Sequence, residues 1–525
     1  MDAQSRGPEA GERAAPSSPD RYDLVIVGVG RVAESAVEEA ARSGRRVAWI
    51  RHRQAEGPTG GQMTCGQIRW ASIALRRLGQ FASPRAGSDA LGGAVRAPGA
   101  LDFAEALRWV RESAAEPEDR AGFAESLAGK IDVYPGPASF VRHDALTADG
   151  RTIGFRRAVI ATGSRSVPRR LDGIDPTACR TSSEWLELVG QPRRIALVGT
   201  GPNACAWAQA FRRLGSEVFL IAREAAILPD VHPRAVAAVH ARLVREGIRL
   251  HLPCQVSVDW AGNVPAAVIE QAGKKQKIFF DQIVLDEACR PNTAGLELEA
   301  AGIASTERRI VVGDRLQTTN PRVFAAGEVC GDEFAAPEVA DAMARACVRN
   351  TLGLFQRRFP RLAVPRTIWT DPQVVEIGLS PAEAAVRQIE TETHRIELDE
   401  MGSWGSRHEA GFVEVRVARP TGRIAGACFV AGEAEELSGV IALCMIRRLP
   451  LAALAEVPWG RPSRFAILHE LARREAQAGG RSRAAAWLGR CRAWWRRLRG
   501  EEPLDRASPR PGARRPPPPE SARAR

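Results

Sequence analysis

No stretch of the 525-residue chain approaches the ~20 uncharged apolar residues that a membrane-spanning helix requires. Its start, MDAQSRGPEAGERAAPSSPD, lacks the apolar core of a signal peptide. The ten cysteines never form a CxxC or any other close spacing, which argues against a zinc site or a disulfide framework. A reducing, cytosolic compartment is then the default. Lysine is nearly missing, standing only at 130, 274, 275 and 277, so the preference for arginine reflects coding composition and says little about ligands. What is present is ordinary for a soluble enzyme: 44% hydrophobic and 26% charged residues, with 48 Gly and 35 Pro. This composition excludes collagen-like, disulfide-scaffold and wholly disordered classes and leaves material for several domains.

The net charge of +12 is unevenly placed. Residues 479–525 hold 13 Arg and 4 acids, a net of +9, so the preceding 478 residues carry only +3. A basic surface suited to nucleic acid is therefore not expected on the body of the protein.

Along the chain, residues 1–20 read as a disordered leader and order is expected from Tyr22. YDLVIVGVG is a short apolar strand ending in glycines, followed by a helix through RVAESAVEEAARSG and a strand RRVAWI. The same order recurs at RRIALVGTG, NACAWAQAFRRLG and SEVFLIA, about 170 residues later. Two such βαβ openings predict two dinucleotide-binding folds. A third region, 361–478, carries the strands FVEVRVA and RIAGACFVAG and the helical IALCMIRRL, without a further glycine fingerprint.

Gly28-Val-Gly30-Arg-Val-Ala33 and Gly199-Thr-Gly201-Pro-Asn-Ala204 each follow a strand and open a helix. In such a motif the first glycine permits the tight turn, the second lets the backbone approach a pyrophosphate, and the small third residue lets helix and strand pack closely. The helix N-terminus then faces the phosphate charge. The alternative is a glycine-rich turn in an empty Rossmann-like fold. An acid near 20 positions on would bind a ribose 2′-hydroxyl, but those places hold Arg51 and Ala222-Arg223. Arg223 favours a 2′-phosphate, hence NADPH over NADH, unless both arginines are solvated surface charges.

The ordered motifs VIVGVG, GG at 60–61, AVIATGSRSVPRRLDGID, IALVGTGPNACAWAQAFRRLGSEVFLIAREAAILP, RPN at 290–292, TNPRVFAAGEVCG and VPRTIWTDPQVVEIGLSPAEA resemble the flavin-dependent pyridine nucleotide-disulfide oxidoreductases, of the dihydrolipoamide dehydrogenase and mercuric reductase type. The resemblance covers residues 22–475. It implies an α/β fold with two Rossmann-like dinucleotide-binding domains, one for FAD and one for NAD(P), plus a C-terminal α+β dimerisation domain. The expected boundaries are 21–170 with 290–360 for FAD, 171–289 for NAD(P) and 361–478 for a homodimer interface. It implies that Thr162, Gly163, Gly327 and Glu328 line the FAD site together with Gly28, Gly30, Ala33 and Arg51, and that Gly199, Gly201, Ala204 and Arg223 hold the second nucleotide. Glu328 stands where the family has Asp, and Asp286-Glu287-Ala288 where it has Ala-Thr-Gly.

The family's catalytic parts are missing from their expected positions. Its redox pair Cys-x4-Cys follows GG, but here GGQMTCGQIRWASIAL puts Met63 and Ile68 at the two positions, and no register of Cys65 yields a pair. Cys65 alone is either a reactive thiol or a buried unreactive one. The remaining cysteines, at 179, 205, 254, 289, 330, 347, 428, 444 and 491, read as small core residues. The family's Lys and Glu ion pair becomes Ser72 and Ala206. Its C-terminal acid/base segment becomes VPWGRPSRFAILHE, with Arg461 and Ala466 at the His and Glu positions; His469 and Glu470, out of register, read as a solvated pair. No catalytic residue is assigned. Met63 and Trp70 either line the face where the disulfide usually lies or simply fill it.

Finally, Trp487, Cys491, Trp494, Trp495 and Leu498 share one helical face within 481–499, and Arg490, Arg492, Arg496, Arg497 and Arg499 the other. That helix suits an anionic membrane surface, the protein's own body or a protein partner; residues 501–525 read as a disordered tail. Two readings result. One is a diverged, cytoplasmic flavoprotein oxidoreductase moving hydride from NAD(P)H to FAD and on to a non-disulfide acceptor, peripheral on the inner membrane face through its tail. The other is a redox-inactive dimeric scaffold.

Overall fold

The computed structural model describes residues 20–52, 65–82, 102–114 and, with short breaks, 123–400 and 411–478. The leader before Asp20, Met63, Arg461 and the whole Trp/Arg helix and tail after 478 lie outside the described residues.

The first described element is β1 (Asp20–Val27), which contains Tyr22. Leu24 to Val27 are fully buried, the continuous apolar pattern of a parallel strand covered on both faces. Helix α1 (Arg31–Ala41) buries Ala33, Ala36, Val37 and Ala40, one face at helical spacing, and returns the chain to β2 (Val47–Arg51). The parallel β1–β2 pairing needs such a crossover. Next come α2 (Cys65–Ala82), α3 (Phe103–Ala114), β3 (Asp132–Pro135), β4 (Ala138–Arg142), β5 (Ala145–Ala148) and β6 (Arg151–Ile160). The sheet order is β3-β2-β1-β6-β5-β4.

Strand β7 (Ser164–Pro168) leads out of this layer towards the second domain. There β8 (Arg180–Thr181), β9 (Arg194–Val198), α4 (Pro202–Arg213), β10 (Glu217–Ile221), α5 (Pro233–Arg245) and β11 (Arg249–His251) repeat the β1–α1–β2 plan. A meander of β12 (Gln255–Ala261), β13 (Val264–Gln271) and β14 (Lys274–Phe279) follows, and β15 (Gln282–Leu285) then enters the parallel sheet, ordered β11-β10-β9-β15-β8. Strand β16 (Glu287–Pro291) returns antiparallel to β7. β17 (Val323–Ala325) joins the first sheet on β6, and α6 (Pro337–Leu352) packs on α1. The first layer is therefore built from two separate stretches of chain.

The third layer is an antiparallel sheet of β18 (Arg366–Ile368), β19 (Gln373–Gly378), β20 (Thr391–Glu397), β21 (Phe412–Ala418) and β22 (Arg423–Ala431), backed by α7 (Ala434–Arg447) and a helix over 466–478. It is tied to the second layer by Arg213 of α4, whose guanidinium is buried and meets Glu246 and Asp371 at 2.6 Å each. No described helix is long and apolar enough to cross a membrane.

Candidate active site

The first fingerprint forms an open cradle. Gly28, at φ +139°, lies so close to the next strand that a Cβ there would stand 2.2 Å from the Ala161 carbonyl oxygen. Gly30, the residue before α1, has φ +82°, and a Cβ built on it meets nothing among the described residues within 4 Å. The space that a pyrophosphate would use is thus clear, at the positive end of a helix whose first N–H groups lack intrahelical partners. Ala33 is fully buried and allows α1 to lie close to the sheet.

Two loops close around this cradle. Thr162 donates its hydroxyl to the Asn292 carbonyl at 2.7 Å, and the Asn292 amide returns a bond to the Thr162 carbonyl at 3.0 Å. Gly163 takes φ +68°. Gly327, at φ +79°, lies against Val32 of the first turn of α1, since a Cβ there would stand 3.1 Å from two of its methyl carbons. Glu328 follows, and its carboxylate accepts the Ser164 hydroxyl at 2.5 Å. Arg51 ends β2 with its guanidinium over the Trp49 ring at 5.4 Å. Seven of the eight residues expected for FAD converge here on one end of the first sheet and the start of α1: Gly28, Gly30, Ala33, Thr162, Gly163, Gly327 and Glu328. Arg51 lies at the edge. FAD fits this donor set and the open space.

The second fingerprint has the same order of strand, glycine turn and helix, with Gly201 at φ −69° where Gly30 has +82°, and a different filling. Asp286, directly after β15 and 5% exposed, turns its carboxylate onto the glycine loop. The Gly201 backbone N–H donates to Asp286 Oδ2 at 3.2 Å, and the Glu287 N–H to Oδ1 at 3.1 Å. A Cβ on Gly201 would stand 2.5 Å from Oδ2, and one on Gly199 2.4 Å from the Asp286 Cβ. Pro202 at the first helical position contributes no N–H. Ala204 is buried as expected, and Arg223 is exposed just beyond β10. The carboxylate thus stands on the face of Gly201 that the motif would turn to a pyrophosphate, and the Gly201 N–H, expected to face a ligand, is bonded to Asp286.

A cleft of 3020 Å³ runs past this loop, with Ser72, Ser164, Asn203, Cys289 and Glu328 on its walls. Ser72 and Ala206, at the family's ion-pair positions, lie on the two helices α2 and α4, which pack on each other. Ser72 accepts from the Trp207 indole at 2.9 Å, and its one hydroxyl proton has two acceptors in reach, the Ile68 carbonyl at 2.9 Å and Asn203 Oδ1 at 3.1 Å. Neutral hydrogen bonds thus occupy the place of the charge pair. Ile68 and half-buried Trp70 belong to the apolar cluster under α2, the space-filling role.

Cysteine needs a correction. Cys179, Cys205, Cys254, Cys330, Cys347, Cys428 and Cys444 are buried thiols, not joined in disulfides. Burial pushes the Cys205, Cys347 and Cys428 thiols up, as befits inert core residues. Cys289 is not one of them: it is half-buried on β16, faces the cleft and is disulfide-bonded. Its spacing from every other cysteine concealed this, because a disulfide depends on proximity in the fold and not in the chain. The side chain of Cys65, the first residue of α2, lies outside the described residues. His469 and Glu470 are not a pair: His469 Nε2 lies 3.2 Å from the Ala455 carbonyl, while Glu470 accepts from Arg473 and Arg474 at 2.8–3.0 Å.

The pattern matches a known family. The family model "Pyridine nucleotide-disulphide oxidoreductase" matches residues 22–346, and the dimerisation domain of the same family matches 364–471. The chain is 28% identical over 422 residues to mercuric reductase of Staphylococcus aureus, spanning 79% of this chain and 75% of that one. It is 29% identical over 445 residues to mercuric reductase of Shigella flexneri, spanning 82% and 77%. Among solved structures, the HOCl-induced flavoprotein disulfide reductase RclA of Escherichia coli superposes with a TM-score of 0.67 at 21% identity, over 86% of this chain and 99% of that one, a likeness of fold.

Proposed function

Because the chain belongs to the pyridine nucleotide-disulphide oxidoreductase family, we propose that it is an FAD-dependent oxidoreductase that draws hydride from a reduced nicotinamide nucleotide and delivers it to an acceptor without the family's Cys-x4-Cys dithiol. The observation that carries this is the open face of Gly30 at the start of α1, with Gly327 and Glu328 closing on it. Bound there, FAD supplies the hydride and electron-transfer chemistry itself. The chain's part is to hold it: the first-turn N–H groups of α1 and the bared backbone at Gly30 take the pyrophosphate, and Thr162, Gly163 and Glu328 take the adjoining sugar-phosphate portion. Arg51, at the end of β2, would help to hold the cofactor at the edge of this site. Arg223 supplies the charge that a 2′-phosphate would need, which favours NADPH. The protein acts as a homodimer through residues 361–478. The test is the visible spectrum of the purified protein and its bleaching by NADPH without oxygen. Protein that stays colourless after reconstitution with FAD overturns the reading.

One observation favours a second course for the electrons. The Cys289 disulfide faces the cleft, and a disulfide in a reducing compartment is usually redox-active or sensing. Taking two electrons and two protons, it opens to two thiols and can pass the electrons on by thiol–disulfide exchange. Thiol counts before and after anaerobic reduction distinguish the courses: a gain of two supports the disulfide relay, and no gain supports direct transfer to the acceptor.

A further inference from the structure

The two fingerprints of this chain share their glycine spacing and their strand–turn–helix order, but the second glycine takes φ +82° in the first and φ −69° in the second. They differ also in what stands beside that glycine. A Cβ on Gly30 meets nothing among the described residues within 4 Å, whereas one on Gly201 meets the Asp286 carboxylate at 2.5 Å. The residue that occupies the Asp286 position in the first motif is Ala161, which likewise directly follows the strand next to the glycine turn. Alanine leaves the cradle clear; aspartate fills it. Backbone glycine is also unforced at Gly201, whose φ of −69° suits any residue. What requires the missing Cβ is the carboxylate.

We propose that Asp286 is a built-in occupant of the second dinucleotide site, a carboxylate standing where a pyrophosphate would bind, so that a nicotinamide dinucleotide enters only when Asp286 swings away. The proposal rests on the oxidoreductase reading above and adds a gate to it. The physical grounds are two. Oδ2 already accepts the Gly201 N–H at 3.2 Å, the group that the motif normally offers to a phosphate oxygen. A pyrophosphate brought to the same loop would also face a carboxylate at contact distance, and like charges set side by side at a binding surface cost several kcal/mol. Pro202 takes away one further donor, so the loop has little spare capacity to hold both anions. Asp286 is held from its own side by the Glu287 N–H on Oδ1, and its backbone N–H bonds to Val198 at 2.9 Å. The main chain therefore stays in the sheet register while the side chain alone must move.

The test is a titration of the full-length protein with NADPH and with NADH, followed by calorimetry, for the unaltered chain, D286A and D286N. Melting curves and FAD content are measured on the same preparations. Asp286→Ala is expected to tighten dinucleotide binding by about tenfold or more, the change that ~1.4 kcal/mol represents. Asp286→Asn keeps the shape and removes the charge. Tightening in both variants assigns the gate to charge, and tightening in D286A alone assigns it to space; either supports the proposal. Equal affinity in all three overturns it. Should D286A fail to fold, Asp286→Ser replaces it as the variant that clears the space and is read by the same outcomes: tightening supports the proposal, and affinity unchanged in both D286S and D286N overturns it. Absence of flavin in every preparation would overturn the oxidoreductase reading and leave the calorimetric outcome on Asp286 intact.

Discussion

The indole N–H of Trp207 donates to the hydroxyl of Ser72 at 2.9 Å, joining α4 to α2 across 135 residues of chain. Both groups are buried, with Ser72 1% exposed. The family places a charged lysine at the Ser72 position and a glutamate at that of Ala206. Here a serine sits between one donor and two acceptors instead, and the exchange of a charge pair for this network is complete on both sides.

Ser72→Ala strands the Trp207 N–H and is expected to cost about 1–3 kcal/mol in chemical denaturation. Ser72→Lys puts back the lysine without its glutamate and should cost more, about 3–5 kcal/mol. S72K combined with A206E is expected to recover part of that loss. A double variant as unstable as the sum of its singles would show that the pocket no longer tolerates the pair.

The glycines of the first fingerprint separate binding from folding. Gly30→Ala adds a methyl at φ +82° and ψ −178°, a backbone region essentially confined to glycine, costing about 1–3 kcal/mol in strain. It should give folded protein without visible flavin absorbance. Gly28→Ala drives a methyl to 2.2 Å from the Ala161 carbonyl oxygen and should abolish folding along with flavin. Flavin retained by G30A at the normal ratio would place the cofactor's phosphates elsewhere.

Burial lowers the pKa of His52, whose Nδ1 accepts the Ala138 N–H at 2.8 Å. A histidine held neutral in the fold gives the unfolded chain the higher proton affinity, so its stability contribution is present above the unfolded value of 6.5 and declines as pH falls from there towards the folded pKa. His232 and His251, also lowered chiefly by burial, act in the same direction; Glu435, raised by burial, acts against them. Stability measured from pH 7.5 down to 5.5 should show a shallower decline in His52→Gln than in the unaltered chain, by at most about 1.4 kcal/mol per pH unit. Parallel slopes would mean that His52 takes up its proton without cost.

Cys289→Ser removes the cleft disulfide. Peptide mapping without reductant should show one cross-linked pair containing Cys289 in the unaltered chain and none in the variant, with two thiols appearing on reduction of the former. If the relay operates, turnover with a disulfide acceptor falls to background in C289S while flavin content is unchanged. A free Cys289 in the unaltered protein would remove the relay.

Much of the fold was readable because the decisive signals are local. Runs such as Leu24–Val27 announce buried parallel strands, and Gly28-x-Gly30 and Gly199-x-Gly201 announce turns, since a strand's burial and a glycine's φ depend on neighbours a few residues away. The convergence of Gly28, Gly30, Thr162 and Gly163 on one end of the first sheet was readable for the same reason. The second cradle was not: Gly201 and Asp286 are 85 residues apart, and a motif does not record what another strand lays over it. Cys289 was read as core because its partner is distant in sequence, and His469 and Glu470 as a pair because they are adjacent.

By itself, then, the sequence determined the repeated βαβ architecture, the glycine turns and the absence of a Cys-x4-Cys pair, all carried by short-range pattern. Only the tertiary structure decided which fingerprint is open and which is filled. Parallel sheets bring the ends of remote strands onto the same turn, and there a single carboxyl group, near the Gly201 N–H and a helix start, competes for the place of a phosphate.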